Sequence, residues 1–561
     1  MSAPEGKTVS PPPGSDHPSS QPFAMKPIYR YLLFFLLLLP AIALRDYTPD
    51  NELRYISLVN EALQNGTWFT FYDHGTVYAD KPPLYFWYIA LMHFLLGAHH
   101  MWAIALASLL PAIGIIALMD RWMREESVPC DTALAGSMLM ITAMYIGTAL
   151  VLRMDMLMAL FILLALRAFY RLYQGKASRS TRWMIPVYIF LAIFTKGPVG
   201  FLMPMVSIVA FLAIKKDLRH FGRYFGWGQW GVLIGLCVLW FSAVYAEGGS
   251  EYLNNILFKQ TVGRGVNSFH HAEPFYYYLT HFVYALAPWS LLYLVSYVKG
   301  VKNRLWKTDL EKFLVAVSAS TFVMLSLVSS KLDIYLVPAY PFMVYLSAIW
   351  IARTGASKWY SAAAALPCLI FALALPAVAV LGDKLPFGLG ESLPTYLCAG
   401  VLSLSGIAAL VLIFRARMAC GIKTAAIGFL AAVFLGSWAI PQVNPHIGFK
   451  YLGARACQIA QQHGIEHFAY YNFDEGWYMD TFTGESFHRI HNMDELDSLE
   501  SFPEPSLLLV RQTEARHDST FTAHIRDWKP AEEKGSYRLF VIEGKKETGG
   551  ATLPPRSGQE P

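Results

Sequence analysis

Charge is what this sequence has least of. Of its 561 residues only 15% are charged, whereas 55% are hydrophobic. Soluble domains carry about 25% charged residues, so a water-exposed globule is excluded and the chain reads as a polytopic membrane protein. Cysteine is scarce as well, with six residues. Cys237, Cys368 and Cys398 sit in apolar runs, Cys130 and Cys420 near segment ends, and Cys457 alone in a polar stretch. With no CxxC or Cys/His spacing, a disulfide framework and a structural zinc site are both excluded. The net charge of +5 is too small for a nucleic-acid footprint, and no nucleic-acid partner is expected. Nor is there an internal repeat. That argues against a transporter or lipid flippase, the alternative class, because such proteins pair repeats around charges at the bilayer midplane.

What the chain has is long apolar runs. A spanning helix needs about 20 apolar residues, and basic loops stay in the cytoplasm. Residues 1–25, rich in Pro, Ser and Gly, read as a disordered cytoplasmic tail. Lys26 and Arg30 then open the first span, to Leu44. Ala41-Ile-Ala43 would suit a signal peptidase, but the polar motif that follows at once needs an anchor, so the run is read as uncleaved. Further spans are expected at 101–119, 132–150, 156–171, 183–195, 199–214, 228–246, 279–298, 313–329, 335–352, 359–381, 394–413 and 423–440. That makes thirteen in a domain covering 26–445. The first outer loop, 45–100, holds amphipathic segments at 51–64 and 83–97. The second is placed along the outer interface, because a crossing there would put every later basic loop outside. Beyond Pro441, helical spacing at 450–463 and strands at 468–472, 506–511 and 539–542 predict a small α/β domain, 446–548, on the exterior face. Residues 549–561 read as a tail. The expected fold is thus an all-α polytopic membrane protein with a C-terminal α/β exterior domain, in the inner (plasma) membrane with the amino terminus cytoplasmic.

On this topology the costly charges gather at the outer face: Asp50, Glu52 and Arg54; Asp80 and Lys81; Arg153 and Asp155; Lys196; Arg264 with His270 and His271; Lys331, Asp333 and Tyr335. Ionisable groups at the edge of a bilayer are expensive and usually have a task. Cations suit a lipid-linked phosphate, and a carboxylate suits a general base or a metal.

Four pieces of sequence resemble one family. They are Pro49-Asp-Asn-Glu-Leu-Arg-Tyr55 after the first span, Asp80-Lys-Pro-Pro-Leu-Tyr-Phe-Trp87, the acid Asp155, and Ser330-Lys-Leu-Asp-Ile-Tyr-Leu-Val-Pro338. In order and spacing they are similar to the GT-C superfamily of lipid-linked-sugar glycosyltransferases, in the branch of protein O-mannosyltransferases and the lipid A aminoarabinose transferase. The resemblance implies a polyprenyl-phosphate sugar donor, a lipid or glycan acceptor, and transfer on the non-cytoplasmic face, with lipid A or another glycolipid favoured over a protein hydroxyl. It implies Asp50 as catalytic base with Glu52 as its rival, Asp155 as the second acid, and Lys81, Arg264, Lys331, Tyr335, Arg54 and Lys196 at the donor phosphate. The residues demand no cofactor. Where relatives carry a Glu and a His that resemble a divalent-metal pair, this chain has Asp80 and Thr261, so an ion here would need Asp80 with His74, His270 or His271.

Overall fold

A computed structural model describes residues 26–258, 273–355 and 357–544, apart from the side chain of Asp50. Arg264, His270 and His271 therefore lie outside the described residues. All thirteen expected spans are helical. Eight helices among the described residues are long and apolar enough to cross a membrane, and nine if the bent pair Thr132–Met140 and Ala143–Leu150 is one span. The remaining expected spans are shorter, broken or more charged. They are α1 (Pro27–Ala43), α8 (Arg179–Lys196), α9 (Val199–Ile214) and the segment split into Tyr277–Ala285 and Ser290–Lys302. The chain is an integral membrane protein.

Local sequence explains the elements around the first loop. Pro82-Pro83 opens α3 (Leu84–Leu96), proline being pre-shaped for a helix start. Both α2 (Arg54–Asn65) and α3 stop at a glycine in the left-handed region, Gly66 (φ +70°) and Gly97 (φ +74°). The break at Lys196-Gly197-Pro198 lets α9 fold back tightly on α8. A Cβ at Gly200 would lie 2.3 Å from the Ala192 carbonyl carbon, so only glycine permits that approach.

Side-chain pairing sorts the segment ends into two groups. In one, Arg30 meets Asp120, Arg167 meets Glu125, Lys423 meets Asp131, Lys215 meets Asp309, and Arg353 meets Glu311. In the other, Arg45 meets Glu52, Lys196 meets Asp155, Asn444 holds the Leu44 carbonyl, and Tyr284 meets Asp333. Both ends of α3 belong to the second group. Trp87 near its start donates to the Trp68 carbonyl, and His99 beyond its end meets Asn60 while its carbonyl accepts from Tyr47. A helix with both ends in one group lies along a face and does not cross.

The C-terminal domain joins this second group. Its five-stranded sheet runs in the order Phe487–Ile490, His467–Tyr471, Ser506–Arg511, Tyr537–Ile542, Glu532–Lys534; the first three strands are parallel, and Tyr537–Ile542 is antiparallel to both of its neighbours. The helix Lys450–His463 and the three central strands lie where sequence spacing predicts them. The pleat alternates two cores. Phe468, Tyr470, Leu507, Leu509 and Leu539 share one continuous apolar cluster with the transmembrane helices and with Leu452 and Ile459, whereas Ala469, Tyr471, Leu508, Val510 and Phe540 pack a separate cluster on the other face. Asp46 fastens the junction. Its carboxylate accepts from the Tyr47 and Lys450 amides, its own amide donates to Asn444, and a Cβ at Gly448 would come within 2.5 Å of its Oδ2.

Candidate active site

The site begins with two antiparallel helices of nearly equal length. α7 (Asp155–Tyr173) and α8 are joined by a short link, so the first residue of one stands beside the last of the other. Those residues are Asp155 and Lys196. An acid at a helix start and a cation at a helix end also oppose the two macrodipoles favourably. Lys196 Nζ pairs with Asp155 Oδ1 and lies 4.8 Å from the centre of the Tyr335 ring, a cation–π contact. Asp155 is fully buried, and among the described residues its Oδ2 has no hydrogen-bond partner. Arg153, two residues earlier, stands close enough to influence both Tyr55 and Lys196 electrostatically. Three residues singled out in the sequence, Asp155, Lys196 and Tyr335, are thus brought into one cluster.

The acidic turn lies beside them. Pro49–Leu53 winds as a single wide turn leading into α2, and Asp50 sits in it. Glu52 is buried, and both its oxygens are taken. Arg45 Nη1 and Nη2 donate at 2.6 Å each, the Thr48 amide at 2.8 Å and the Leu152 amide at 2.9 Å. The last bond ties the turn to the residue preceding Arg153. Arg45 also reaches the Leu150 carbonyl, at 3.3 Å. Sequence reading passed over Arg45; its signal is a basic residue caught between the anchor helix and the acidic motif.

The other expected residues have varied surroundings. Asp80 and Lys81 are half-buried just before α3. Lys331 is buried and donates to the Glu273 carbonyl at 2.7 Å. Arg54 donates to the Tyr478 phenol at 3.0 Å and stands 3.8 Å from Asp73, so it faces the C-terminal domain. A clamp absent from the sequence reading is Glu247. It accepts from the amides of Trp68, Phe69 and Thr70 at 2.6–2.7 Å and fixes the loop leading to the Asp80 motif. Among the described residues the one group of three potential metal ligands is Asp497, Glu500 and His524, in the C-terminal domain.

Fold and cluster together define the class: a polytopic helical membrane protein with a paired acid and lysine where several helices end. Comparison with known proteins agrees. The family described as dolichyl-phosphate-mannose-protein mannosyltransferase matches residues 80–245. The chain is 25% identical over 362 residues to the undecaprenyl phosphate-alpha-4-amino-4-deoxy-L-arabinose arabinosyl transferase of Shewanella sediminis, covering 62% of this chain and 64% of that protein. It thus spans a little under two thirds of that relative. An uncharacterized protein of Aquifex aeolicus is also 25% identical, over 58% of this chain and 65% of its own. The crystal structure of ArnT from Cupriavidus metallidurans bound to undecaprenyl phosphate superposes with a TM-score of 0.71 at 17% identity, over 92% of this chain and 99% of that one. The chain thus shares its fold with that ArnT structure, and part of its sequence is similar to the arabinosyl transferases and to the mannosyltransferase family.

Proposed function

We propose that the chain is a membrane glycosyltransferase that moves a sugar from a polyprenyl-phosphate donor to an acceptor hydroxyl, with lipid A or another glycolipid favoured. The acidic turn and the Asp155 cluster are read as lying on the exterior face, with the amino terminus cytoplasmic, the C-terminal domain outside and thirteen spans between them. Asp50 takes the proton of the acceptor hydroxyl, whose oxygen attacks the anomeric carbon. The bond to the donor phosphate breaks on the opposite side, inverting that carbon, and the phosphate leaves with the electron pair.

The observation that carries this reading is the buried Asp155–Lys196 pair under Tyr335. A lysine and an acid held dry at a membrane edge are costly unless a charged substrate uses them. Lys196, with Lys81 and Arg264, holds the phosphate and gains strength as charge develops on it. Asp155 orients Lys196. Glu52, whose two oxygens already accept four hydrogen bonds, shapes the turn that carries Asp50. Arg54 and Lys331, engaged by Tyr478 and the Glu273 carbonyl, brace the surrounding loops. Any divalent ion would need Asp80 with donors outside the described residues, since His74 is engaged by Asp73 and Asp480.

The test is mass spectrometry of lipid A and surface glycans with and without the gene, followed by complementation with Asp50→Asn. Loss of one sugar in the deletion, restored by the parent but not by Asp50→Asn, is the expected result. In a purified assay that variant should lose about 100-fold or more of its rate, as for a missing general base. An unchanged glycolipid and glycan profile in the deletion strain would overturn the proposal.

A further inference from the structure

We infer that His74 is a positioning residue. Its ring bridges Asp73 of the first outer loop and Asp480 of the C-terminal domain, latching that domain onto the loop that carries Asp50 and Lys81. The inference rests on the proposed site, since those two residues are what the latch positions.

The loop side is built for it. Tyr72–Asp73 and Thr76–Val77 pair as a short antiparallel hairpin. His74 and Gly75 turn between them with φ of +53° and +78°. Only a few residue types besides glycine adopt the left-handed region readily, histidine among them. Glu61 of α2 accepts from both turn amides, at 2.8 and 2.9 Å, and so fixes the hairpin tip. The imidazole is left pointing at the C-terminal domain. Nδ1 lies 3.0 Å from Asp73 Oδ1 and Nε2 lies 2.8 Å from Asp480 Oδ2. A neutral imidazole has one N–H, so donating to both carboxylates requires the imidazolium. The ring also stacks on Trp477, with centroids 4.7 Å apart.

The same segment of the domain grips the loop a second time. The buried Tyr478 phenol accepts from Arg54 Nε and donates to Asp73 Oδ2 at 2.8 Å. Arg54 directly follows the turn that holds Asp50, and Asp73 lies seven residues before Asp80. Residues 477–480 therefore hold both halves of the candidate site's loop.

Asp73, Glu61 and Arg54 face His74 from the loop, and Asp480 and Tyr478 from the domain. Burial by itself would lower the His74 pKa, but the hydrogen bonds to Asp480 and Asp73 outweigh it and raise the value to about 9. A folded pKa above the unfolded 6.5 means the latch is fully made below about pH 6.5 and is lost as pH rises through about 9.

The experiment uses full-length protein in lipid nanodiscs and compares the parent with His74→Gln, His74→Arg and Asp480→Asn. Two readouts are taken across pH 6–10: hydrogen exchange of residues 72–80 and 473–484, corrected for intrinsic rate, and kcat/KM for the polyprenyl-phosphate donor. In the parent, protection should decline steadily from about pH 6.5 and level off near pH 9. Asp480→Asn should move that upper limit down by at least one pH unit. His74→Gln should expose both segments at pH 7 and lower kcat/KM about tenfold, the scale of a misplaced reacting group. His74→Arg, a permanent cation, should restore much of both and abolish the alkaline limb. Parent-like protection in His74→Gln, or exposed segments with unchanged donor kinetics, would overturn the inference. A parent protein inactive on every polyprenyl-phosphate sugar would instead count against the proposed function, and the exchange data would still decide whether the latch exists.

Discussion

Replacing Glu52 by glutamine separates a structural carboxylate from a chemical one. Glu52 is 3% exposed, and its partner Arg45 keeps 14% of its side chain exposed. Oε1 accepts from Arg45 Nη2 and the Leu152 amide, and Oε2 from Arg45 Nη1 and the Thr48 amide. A glutamine can present its oxygen to only one of these donor pairs. The other pair then meets an NH2 group, donors against donors, and Arg45 loses its counter-charge. Removing one partner of a buried ion pair costs about 3–5 kcal/mol. The variant should therefore melt several degrees early, followed as the monodisperse fraction surviving a heating series in detergent. Because the turn that carries Asp50 loosens with it, transfer per folded molecule should fall, but far less than in Asp50→Asn. Adding Arg45→Gln should recover part of the stability, a coupling of about 0.5–3 kcal/mol between contacting residues. A Glu52→Gln protein that melts within about one degree of the parent yet transfers no sugar would refute the reasoning and make Glu52 the base.

Lys196→Met should weaken donor binding and destabilise the protein, because it strands the buried Asp155 carboxylate. Combining it with Asp155→Asn should return a monodisperse protein that is still inactive, measured by size exclusion and transfer rate. Gly448→Ala should cost about 1–3 kcal/mol through its Cβ clash with Asp46, seen as a lower melting midpoint. A reporter fused after residue 544 should read as exterior; a cytoplasmic reading would overturn the thirteen-span orientation.

Hydropathy carried most of the fold because the bilayer demands long apolar runs, and each expected run is helical. The two sheet edges escaped notice for the opposite reason. Phe487–Ile490 and Glu532–Lys534 are short, and His488, Arg489 and Glu533 give them no apolar signature. In the site, Asp155 and Lys196 were legible because ionisable residues at span ends are rare, but their pairing depends on two helix lengths that sequence gives only to within a turn. Glu52 looked equal to Asp50 since both lie in one acidic motif. Only the fold shows that Arg45 and two backbone amides already occupy it. The Glu247 clamp was unreadable, because its partners are backbone groups 177–179 residues away.

The shared apolar cluster beneath the C-terminal sheet has a consequence for how the protein is made. Phe468, Leu507 and Leu539 belong to the same packed interior as the transmembrane helices, so the sheet lends its inner face to a structure begun hundreds of residues earlier. The loop after the first helix must wait, through most of synthesis, for Tyr478 and Asp480 to arrive. A ribosome that stalls before them leaves a chain with its anchors inserted, its acidic turn ungripped and an apolar face uncovered. On the proposed function such a product should transfer no sugar, and its uncovered apolar face should mark it for membrane proteases.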